Sequence, residues 1–379
     1  MQDFHFHNPT RVIFGRNKSI EAGETVIQFG YQALLVYGRE SIKESGLYQS
    51  VTNSLRAAGA EVVDHGGVQP NPTIAHVREG VEKAKSRKLE VILAVGGGSV
   101  MDEAKAIAAG ATAECDPWRF FSLGQKPERA LPVITVPTLA ATGSEMNGNA
   151  VITNTETRQK LGMFSPLLYP KVSILDPSLT LRVPPNHTAY GLADIFSHIL
   201  EPYFNGADPV TPVQDRLAEG LFQSLFDIAP RLRQNPSDYP ARADMLWAST
   251  VALNGILAAG RGKTHWDVHL LAHSLGALFN APHGGALAVI IPGWMARNAQ
   301  KRPAKFDQFA NRVMGAKAAE EGIAGLKEWF RGIGAPVSLG ELGIKESDIP
   351  AIVENVMDTG GGGKYTQRAD IEQIMRLSL

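Results

Sequence analysis

Cysteine is almost absent from this chain of 379 residues: Cys115 is the only one, so no intrachain disulfide can form. No apolar run approaches the ~20 residues that a membrane-spanning helix needs. The first ten residues, MQDFHFHNPT, lack the basic region and the apolar core of a secretory signal. Together these absences predict a protein of a reducing compartment, and we expect it in the cytoplasm. Because no histidine lies near Cys115 in the sequence, we interpret that residue as structural.

An excess of either charge is also missing. The chain has 37 Lys and Arg residues against 38 Asp and Glu residues, a formal net charge of -1. This balance favours neither nucleic acid nor an anionic membrane as a partner. With a hydrophobic fraction of 44%, the sequence is typical of a globular protein that is long enough for two domains.

Short β-branched runs alternate with helical patterns through the first half of the chain. The predicted strands are residues 11–14, 33–37, 60–63, 91–95, 132–136, 151–153 and 172–175. Helical patterns follow the second strand up to residue 58 and then cover residues 73–86 and 100–110. Lys160 falls in a turn-rich stretch between the last two strands. This alternation predicts βαβ units with right-handed crossovers and a parallel sheet.

After Asp176 and Pro177 the strand signals stop and helical patterns take over. The predicted helices are residues 190–204, 212–226, 242–259, 265–278 and 286–297, with more to the end. We place the boundary near Pro184 and Pro185, which predicts an α/β domain over residues 1–185 and an all-helical domain over residues 186–379. The run of four glycines at residues 360–363 predicts a flexible loop before a last helix.

A glycine loop, GGGSVMD at residues 96–102, joins the fourth strand to a helix. Free backbone N–H groups at a helix start suit a phosphate that approaches closely. The loop is neither the dinucleotide fingerprint GxGxxG nor a P-loop, and a tight turn without a ligand is the alternative. A second loop, TLAATGSE at residues 138–145, has small and hydroxyl side chains after the fifth strand, but such runs are often plain loops.

The sequence GLADIFSH places Asp194 and His198 four residues apart on a predicted helix, so the two share one face. An isolated pair of this kind is more often an exposed ion pair. Here the flanking residues are apolar, which indicates a buried helix, and a buried carboxylate and imidazole need partners.

The stretch WDVHLLAHSLGALFNAPHG at residues 266–284 carries three histidines, His269, His273 and His283. The first two share a helix face. On a straight helix His283 would lie about 21 Å beyond His269, too far for one ion. Pro282 is unsuited to a helix interior, so we interpret residues 280–282 as a break after which His283 folds back.

Four of these residues together, Asp194, His198, His269 and His283, offer one carboxylate oxygen and three imidazoles. This set suits Zn²⁺ or Fe²⁺ better than Mg²⁺ or Ca²⁺. His265 continues the four-residue spacing but would be one ligand too many.

Five motifs in this order resemble the iron-containing (group III) alcohol dehydrogenase family: GGGSVMDEAKAIA, TVPTLAATGSEMN, ILDPSLT, GLADIFSHILE and HLLAHSLGALFNAPHG. The resemblance covers nearly the whole chain. Through TGSEMN and YGRESIKESG it is strongest with the branch of NADP-dependent aldehyde reductases and butanol dehydrogenases. It implies a dehydroquinate synthase-like architecture, with a dinucleotide-binding α/β domain and an all-α domain, and a homodimer that acts on a small alcohol or aldehyde.

The resemblance also assigns roles to residues. It implies that Asp194, His198, His269 and His283 bind one metal ion, and that His273 lies near the nicotinamide without binding the metal. It implies cofactor contacts at Gly97, Gly98, Ser99, Asp102, Thr138, Thr142, Asn149 and Lys160.

The choice of cofactor depends on the turn after the second strand. NAD-preferring relatives carry an Asp there that repels a 2′-phosphate, whereas this chain has Gly38, Arg39 and Ser41. Arg39 can pair with a phosphate dianion and Ser41 can donate a hydrogen bond, so we predict NADP(H) rather than NAD(H). Glu40 departs from the small residues usual in the NADP branch.

The predicted reaction is reversible hydride transfer between the nicotinamide and a carbonyl carbon, with the metal polarising the aldehyde oxygen and His273 relaying a proton. Three alternatives remain: polyol oxidation of the glycerol dehydrogenase type, a lyase of the dehydroquinate synthase type, and a metal-stabilised scaffold. The lyase would need several Lys and Arg around its substrate, whereas the helices that carry the predicted ligands are mostly apolar. A scaffold would leave the cofactor loops unexplained.

Overall fold

The computed structural model describes residues 1–207, 210–359 and 367–379. It contains two compact units: His7–Arg182, and Met1–Phe6 together with Val183–Leu379. The first six residues therefore belong to the helical unit, where the Gln2 N–H donates to the Gly260 carbonyl oxygen at 2.9 Å. The predicted division into domains 1–185 and 186–379 differs at these residues and stays a proposal. The glycine run at residues 360–363 lies outside the described residues.

The unit His7–Arg182 is built on a parallel sheet in the order β1-β8-β5-β4-β2-β3, beside a hairpin of β6 and β7. The strands are β1 (Arg11–Phe14), β2 (Gln32–Tyr37), β3 (Glu61–Gly66), β4 (Val91–Gly96), β5 (Val133–Pro137), β6 (Asn149–Asn154), β7 (Gln159–Phe164) and β8 (Val172–Leu175). The helices are α1 (Ala22–Val26), α2 (Ser41–Glu44), α3 (Leu47–Ala57), α4 (Ile74–Ser86), α5 (Gly98–Ala111) and α6 (Trp118–Ser122). Strands β4 and β5 are buried along their whole length, as expected for parallel strands covered on both faces.

The strand order places the predicted cofactor loops side by side. Strand β2 pairs with β3 on one side and with β4 on the other, so the chain reverses its direction of winding between β2 and β4. Ligands of open parallel sheets bind at such a switch point, beyond the carboxyl ends of the strands. The turn after β2 begins at Gly38, and the loop after β4 begins at Gly97. The loop after β5 lies at the same edge, because Gly96 pairs with Pro137.

Lys160 lies in a strand, so the predicted turn-rich stretch is wrong at this residue. In the antiparallel hairpin Lys160 pairs with Thr153. Strand β7 has the sequence QKLGMF, in which a lysine and a glycine interrupt the β-branched pattern. Main-chain hydrogen bonds to β6 stabilise the strand, although the composition of β7 does not predict one.

The helical unit consists of α7 (Pro185–Asn205), α8 (Pro212–Gln234), α9 (Tyr239–Ala252), α10 (Asp267–Phe279), α11 (His283–Ala299), α12 (Pro303–Phe309), α13 (Ala319–Gly332), α14 (Ile349–Asp358) and α15 (Arg368–Leu377). The predicted helix 242–259 is too long, because α9 ends at Ala252 and Gly255 takes a left-handed φ of 96°. Helix α7 runs through the core, where the ring of Phe196 packs against Phe222 at a centroid distance of 4.6 Å. Within the described ranges, no helix is both long and apolar enough to cross a membrane.

Candidate metal centre and cofactor loops

Helix α7 carries Asp194 and His198 on one buried face. The Asp194 Oδ1 lies 3.5 Å from the His198 Nε2, and the side chains are 4% and 5% exposed respectively. The four-residue spacing on a helix produces this proximity. Because the neighbours Leu192, Ile195 and Ile199 are also buried, the two polar groups face the protein interior.

The predicted break between the histidines is present. Helix α10 ends at Phe279, and Asn280 adopts a left-handed φ of 53°, with its N–H donating to the Gly276 carbonyl oxygen at 3.1 Å. Pro282 precedes the first residue of α11, His283. This turn places the His283 Nε2 3.6 Å from the Asp194 Oδ1. The His269 Nε2, from α10, lies 3.9 Å from the same oxygen.

The spacing of these atoms fits a tetrahedral metal site. Ligands about 2.1 Å from a Zn²⁺ ion are ~3.4 Å apart along a tetrahedral edge, and the three distances from Asp194 are 3.5, 3.6 and 3.9 Å. The Asp194 Oδ1 is buried and accepts no hydrogen bond within the described residues. An isolated buried carboxylate oxygen is costly, so a cation is the expected partner. The ligand atoms of Asp194, His198 and His269 lie within 4.8 Å of one another.

The charges around the site also favour a cation. Burial alone would raise the pKa of Asp194, but the imidazoles of His198, His269 and His283 hold it well below its usual value. Burial would lower the pKa of His269, yet the carboxylates of Asp194 and Glu201 raise it to about 9. The two buried carboxylates thus favour a positive charge among the imidazoles, and a divalent ion would supply that charge.

Glu201 is a functional candidate that the sequence analysis missed. Its Oε1 accepts the His269 N–H at 3.1 Å and lies 3.3 Å from the His269 Nδ1, while its side chain is completely buried. A carboxylate on one ring nitrogen fixes the tautomer and turns the other nitrogen to the metal side. The signal was present: Glu201 is three residues after His198 on an otherwise apolar helix face, so the motif is D-x3-H-x2-E.

His273 lies beside the four predicted ligands without being one of the close group. Its ring centroid is 6.4 Å from that of His269 and 5.5 Å from that of His283. The residue is half-buried, one helical turn after His269. The assignment of His273 to proton transfer stays a prediction.

The glycine loop and the loop after β5 pack closely together. A Cβ atom on Gly98 would lie 2.3 Å from the Thr142 Cγ2, so only glycine fits there. Gly97 has no such restriction, since its Cβ would lie 3.7 Å from Leu139. The Ser99 Oγ donates to the Pro70 carbonyl oxygen at 2.5 Å. The N-terminus of α5, a helix of 14 residues, is thus lined by the loop that carries Thr142.

The remaining predicted cofactor residues lie in the same unit. Asp102 accepts the Ser144 Oγ–H at 2.6 Å through Oδ1 and the Val151 N–H at 3.0 Å through Oδ2. Lys160 donates to the Asn71 Oδ1 at 3.0 Å. Thr138 donates its N–H to the Gly96 carbonyl oxygen at 3.0 Å, and Asn149 begins β6. The structure brings Asp102 and Asn149 into one hydrogen-bonded network, through Ser144 and a lysine, Lys105, that the sequence analysis did not consider.

The turn after β2 is open to solvent. Arg39 and Ser41 are exposed, and Ser41 is the first residue of α2. The Glu40 carboxylate lies 3.6 Å from the Lys43 ammonium. Glu40 therefore has a basic neighbour on the adjacent helix α2. The Cβ of an alanine at Gly38 would lie 3.9 Å from Val100 of α5, so the turn and the glycine loop are adjacent.

A second group of ligand-type side chains, His65, His76 and Glu103, lies between β3, α4 and α5. The Glu103 Oε1 accepts from the His65 Nε2 at 3.1 Å and from the His76 Nδ1 at 2.7 Å. The Lys83 ammonium lies 3.3 Å from the His65 Nδ1, so we assign the ring proton to Nε2, which then donates to Glu103. The Glu103 Oε1 thus has both imidazoles as partners, whereas the buried Oε2 has no hydrogen-bond partner within the described residues.

Two protein-family models match this chain. The model of the iron-containing alcohol dehydrogenase family matches residues 9–177, and that of the C-terminal part of the Fe-containing alcohol dehydrogenase family matches residues 188–379. The chain belongs to the iron-containing alcohol dehydrogenase family. Membership makes it an NAD(P)-dependent, metal-containing alcohol dehydrogenase, and implies a divalent metal ion and a nicotinamide cofactor.

Three relatives illustrate the range within this family. A probable NADH-dependent butanol dehydrogenase 1 of Bacillus subtilis is 41% identical, with 100% of each chain covered. The NADPH-dependent aldehyde reductase YqhD of Escherichia coli is 35% identical over 95% of this chain and 94% of that protein. The crystal structure of an NADH-dependent butanol dehydrogenase A from Thermotoga maritima superposes with a TM-score of 0.96 and 43% identity, covering 100% of this chain and 99% of that one.

Proposed function

We propose that this alcohol dehydrogenase interconverts a small aldehyde and its primary alcohol, and that Asp194, His198, His269 and His283 bind Fe²⁺ or Zn²⁺. The observation that carries the metal assignment is the buried Asp194 Oδ1, which has three imidazole nitrogens at 3.5 to 3.9 Å and no hydrogen bond within the described residues. One anionic ligand with three imidazoles is the chemistry that borderline divalent ions prefer.

When bound, the nicotinamide would supply the hydride, and the divalent ion would act as a Lewis acid toward the carbonyl oxygen. The chain's own residues do the rest. Glu201 holds the His269 ring with its Nε2 directed at the Asp194 side. His273 carries a proton between solvent and the product oxygen, a role that suits an imidazole because its ordinary pKa is near neutrality. The N-terminus of α5 and the Gly98–Thr142 contact support the cofactor pyrophosphate.

For the cofactor we propose NADP(H), from Arg39 and Ser41 in the turn after β2. A guanidinium binds a phosphate dianion with paired hydrogen bonds, and no carboxylate at residues 38, 39 or 41 would repel it. The relatives' names include both cofactors, because the Bacillus subtilis protein is called NADH-dependent and the Escherichia coli protein NADPH-dependent. NADH is therefore the competing choice.

The test of the function is the oxidation of NADPH and NADH with butanal by the purified protein. We expect activity with metal-loaded protein, loss of activity with a chelator, and recovery on adding Fe²⁺ or Zn²⁺. Metal analysis of the same samples shows which ion restores the activity. Absence of oxidation under every metal loading would remove the dehydrogenase proposal.

Two further proposals concern the assembly and its location. We propose a homodimer in the cytoplasm, as the family resemblance and the single cysteine lead us to expect. Light scattering after size-exclusion chromatography tests the dimer, and a single protomer mass would contradict it.

A further inference from the structure

Lys105 is a fully buried lysine on α5, three residues after Asp102. Its three N–H groups are shared among five oxygens of the loop after β5 and of Asn149, the first residue of β6: Ser144 O at 2.7 Å, Ser144 Oγ at 2.8 Å, Asn147 O at 2.8 Å, Asn147 Oδ1 at 3.2 Å and Asn149 O at 2.9 Å. Three of these acceptors are backbone carbonyls. A buried ammonium inside a shell of loop oxygens holds the main chain of that loop in one conformation.

The same contacts connect the loop to the helix N-terminus. The Ser144 Oγ accepts from Lys105 and donates its own proton to the Asp102 Oδ1 at 2.6 Å. The Asp102 Oδ2 accepts the N–H of Val151, on β6. Thr142, just before the clamped loop, fills the space that a Cβ on Gly98 would occupy. Lys105 therefore fixes the wall beside the start of α5, where a phosphate of the cofactor would lie.

We propose that Lys105 is a positioning residue for the nicotinamide cofactor, whose charged ammonium holds loop residues 144–149 in the binding conformation. The inference rests on the proposed function, since it assigns the cofactor to this edge of the sheet. It also predicts that cofactor affinity falls when Lys105 loses its proton. A neutral amine has two protons and a lone pair, which would face oxygen lone pairs, so it cannot maintain the five contacts.

The titration of Lys105 lies in an accessible range. Burial lowers the pKa of Lys105 to about 8, although Asp102 and Glu145 oppose the shift. Two other charged groups are nearby: Lys160 of β7 acts on Asp102, and His76 of the adjacent α4 bonds to Glu103. Burial also raises the pKa of Asp102, so weakening of cofactor binding above pH 8 is assigned to Lys105 where Lys105→Met abolishes it.

Stability and affinity should respond to this titration in opposite directions. The folded pKa of about 8 lies below the unfolded value of 10.5, so the charged form is disfavoured by folding. Above pH 10.5 Lys105 is neutral in both states, so folding does not bury a charge at this residue. As the pH falls through about 8, Lys105 becomes charged in the folded protein, and this stability is lost. Raising the pH from about 8 to 10.5 therefore increases the free energy of unfolding through Lys105. Over the same range the loop loses its hydrogen bonds from the charged ammonium. A purely structural lysine would change the stability alone.

The experiment compares metal-loaded wild type with Lys105→Met, Ser144→Ala and the control Lys126→Met. Lys126 is an exposed lysine of the same unit that donates to a backbone carbonyl, that of Phe164, at 3.0 Å. NADH and NADPH are titrated by fluorescence between pH 7 and 9.5, and hydrogen exchange of amides 144–151 is followed without cofactor.

We expect the affinity of the wild type for the cofactor to fall above pH 8. Lys105→Met should bind the cofactor at least tenfold more weakly at pH 7, and its affinity should not fall above pH 8. The affinity of Ser144→Ala should lie between those of the other two. Amides 144–151 should lose protection in Lys105→Met, and Lys126→Met should match the wild type. If Lys105→Met does not fold, the wild-type pH profile and Ser144→Ala decide the matter. If the affinity of the wild type does not change with pH and Ser144→Ala binds the cofactor as well as the wild type does, the role of Lys105 is contradicted while the proposed function stands. A wild type that binds neither cofactor would overturn the proposed function, and this inference with it.

Discussion

Gly284 packs directly against the backbone of Tyr190: a Cβ atom at position 284 would lie 2.1 Å from the Tyr190 carbonyl oxygen. This contact joins the first turn of α11 to α7, four residues before Asp194. The proximity of His283 to Asp194 therefore depends on the absence of a side chain at the residue after His283.

Replacement of Gly284 by Ala should weaken metal binding. The methyl group would clash with main-chain atoms that cannot move aside, so α11 must shift and take His283 away from Asp194. We expect a loss of metal affinity of at least tenfold, measured by competition with a chelator of known affinity. The matched control is Gly285→Ala, whose Cβ would meet only side chains, the nearest at 3.3 Å. Equal affinities in the two variants would contradict the role of this contact.

Glu201 should influence the metal through His269. Its replacement by Ala removes the acceptor of the His269 N–H and the partner of the ring Nδ1, so the ring loses its fixed orientation. We expect metal affinity to fall by about 10–100-fold, with Glu201→Gln affected less. Absorption spectra of the Co²⁺-substituted protein report the ligand geometry independently of activity. Asn205→Ala serves as the control, because the Asn205 amide donates to the other Glu201 oxygen, Oε2, at 2.7 Å and to the His265 carbonyl oxygen at 3.0 Å. An unchanged affinity in Glu201→Ala would exclude an orienting role.

Replacement of His273 should lower the activity, whereas replacement of His269 should remove the metal. For His273→Ala we expect kcat to fall by at least ~100-fold, the usual contribution of a general acid or base, with the metal content intact. His269→Ala should lose the metal. Metal analysis and steady-state kinetics on the same preparations separate the two effects. Loss of metal from His273→Ala would make His273 a ligand.

Arg39 should determine the cofactor preference. Its replacement by Ala removes a charge-assisted hydrogen bond to a 2′-phosphate, which corresponds to a rise of ~10–100-fold in the KM for NADPH. The KM for NADH should stay within twofold of wild type. Lys43→Ala is the control, because Lys43 is a basic residue of the adjacent helix α2 that pairs with Glu40. Equal changes for both cofactors in Arg39→Ala would show that Arg39 does not select the phosphate.

The sequence was most informative where local pattern and tertiary role coincide. Strand β1 matches its predicted bounds, since a short β-branched run between polar residues has few alternative structures. The break before His283 was predictable because proline is unsuited to a helix interior. By contrast, α9 ends seven residues before the predicted end at residue 259, because an apolar composition continues beyond the left-handed Gly255.

Residues whose role depends on distant partners were missed. Lys105 is a single charge in the apolar stretch AKAIAA, and its significance lies in oxygens 39 to 44 residues away. Glu201 acts on His269, 68 residues later in the chain. A charged residue on an apolar helix face signals a buried partner, but the sequence alone does not say which partner it is.

The proposed metal ligands are distributed over α7, α10 and α11, so a single bound ion would tie three helices together. Metal supply then enters the folding equilibrium, because an ion that binds only the native state adds about 2.7 kcal/mol to the free energy of unfolding at a concentration 100 times its Kd. A shortage of the metal would thus increase the degradation of the protein as well as abolish its activity, since the helical unit would unfold more often and be open to proteolysis.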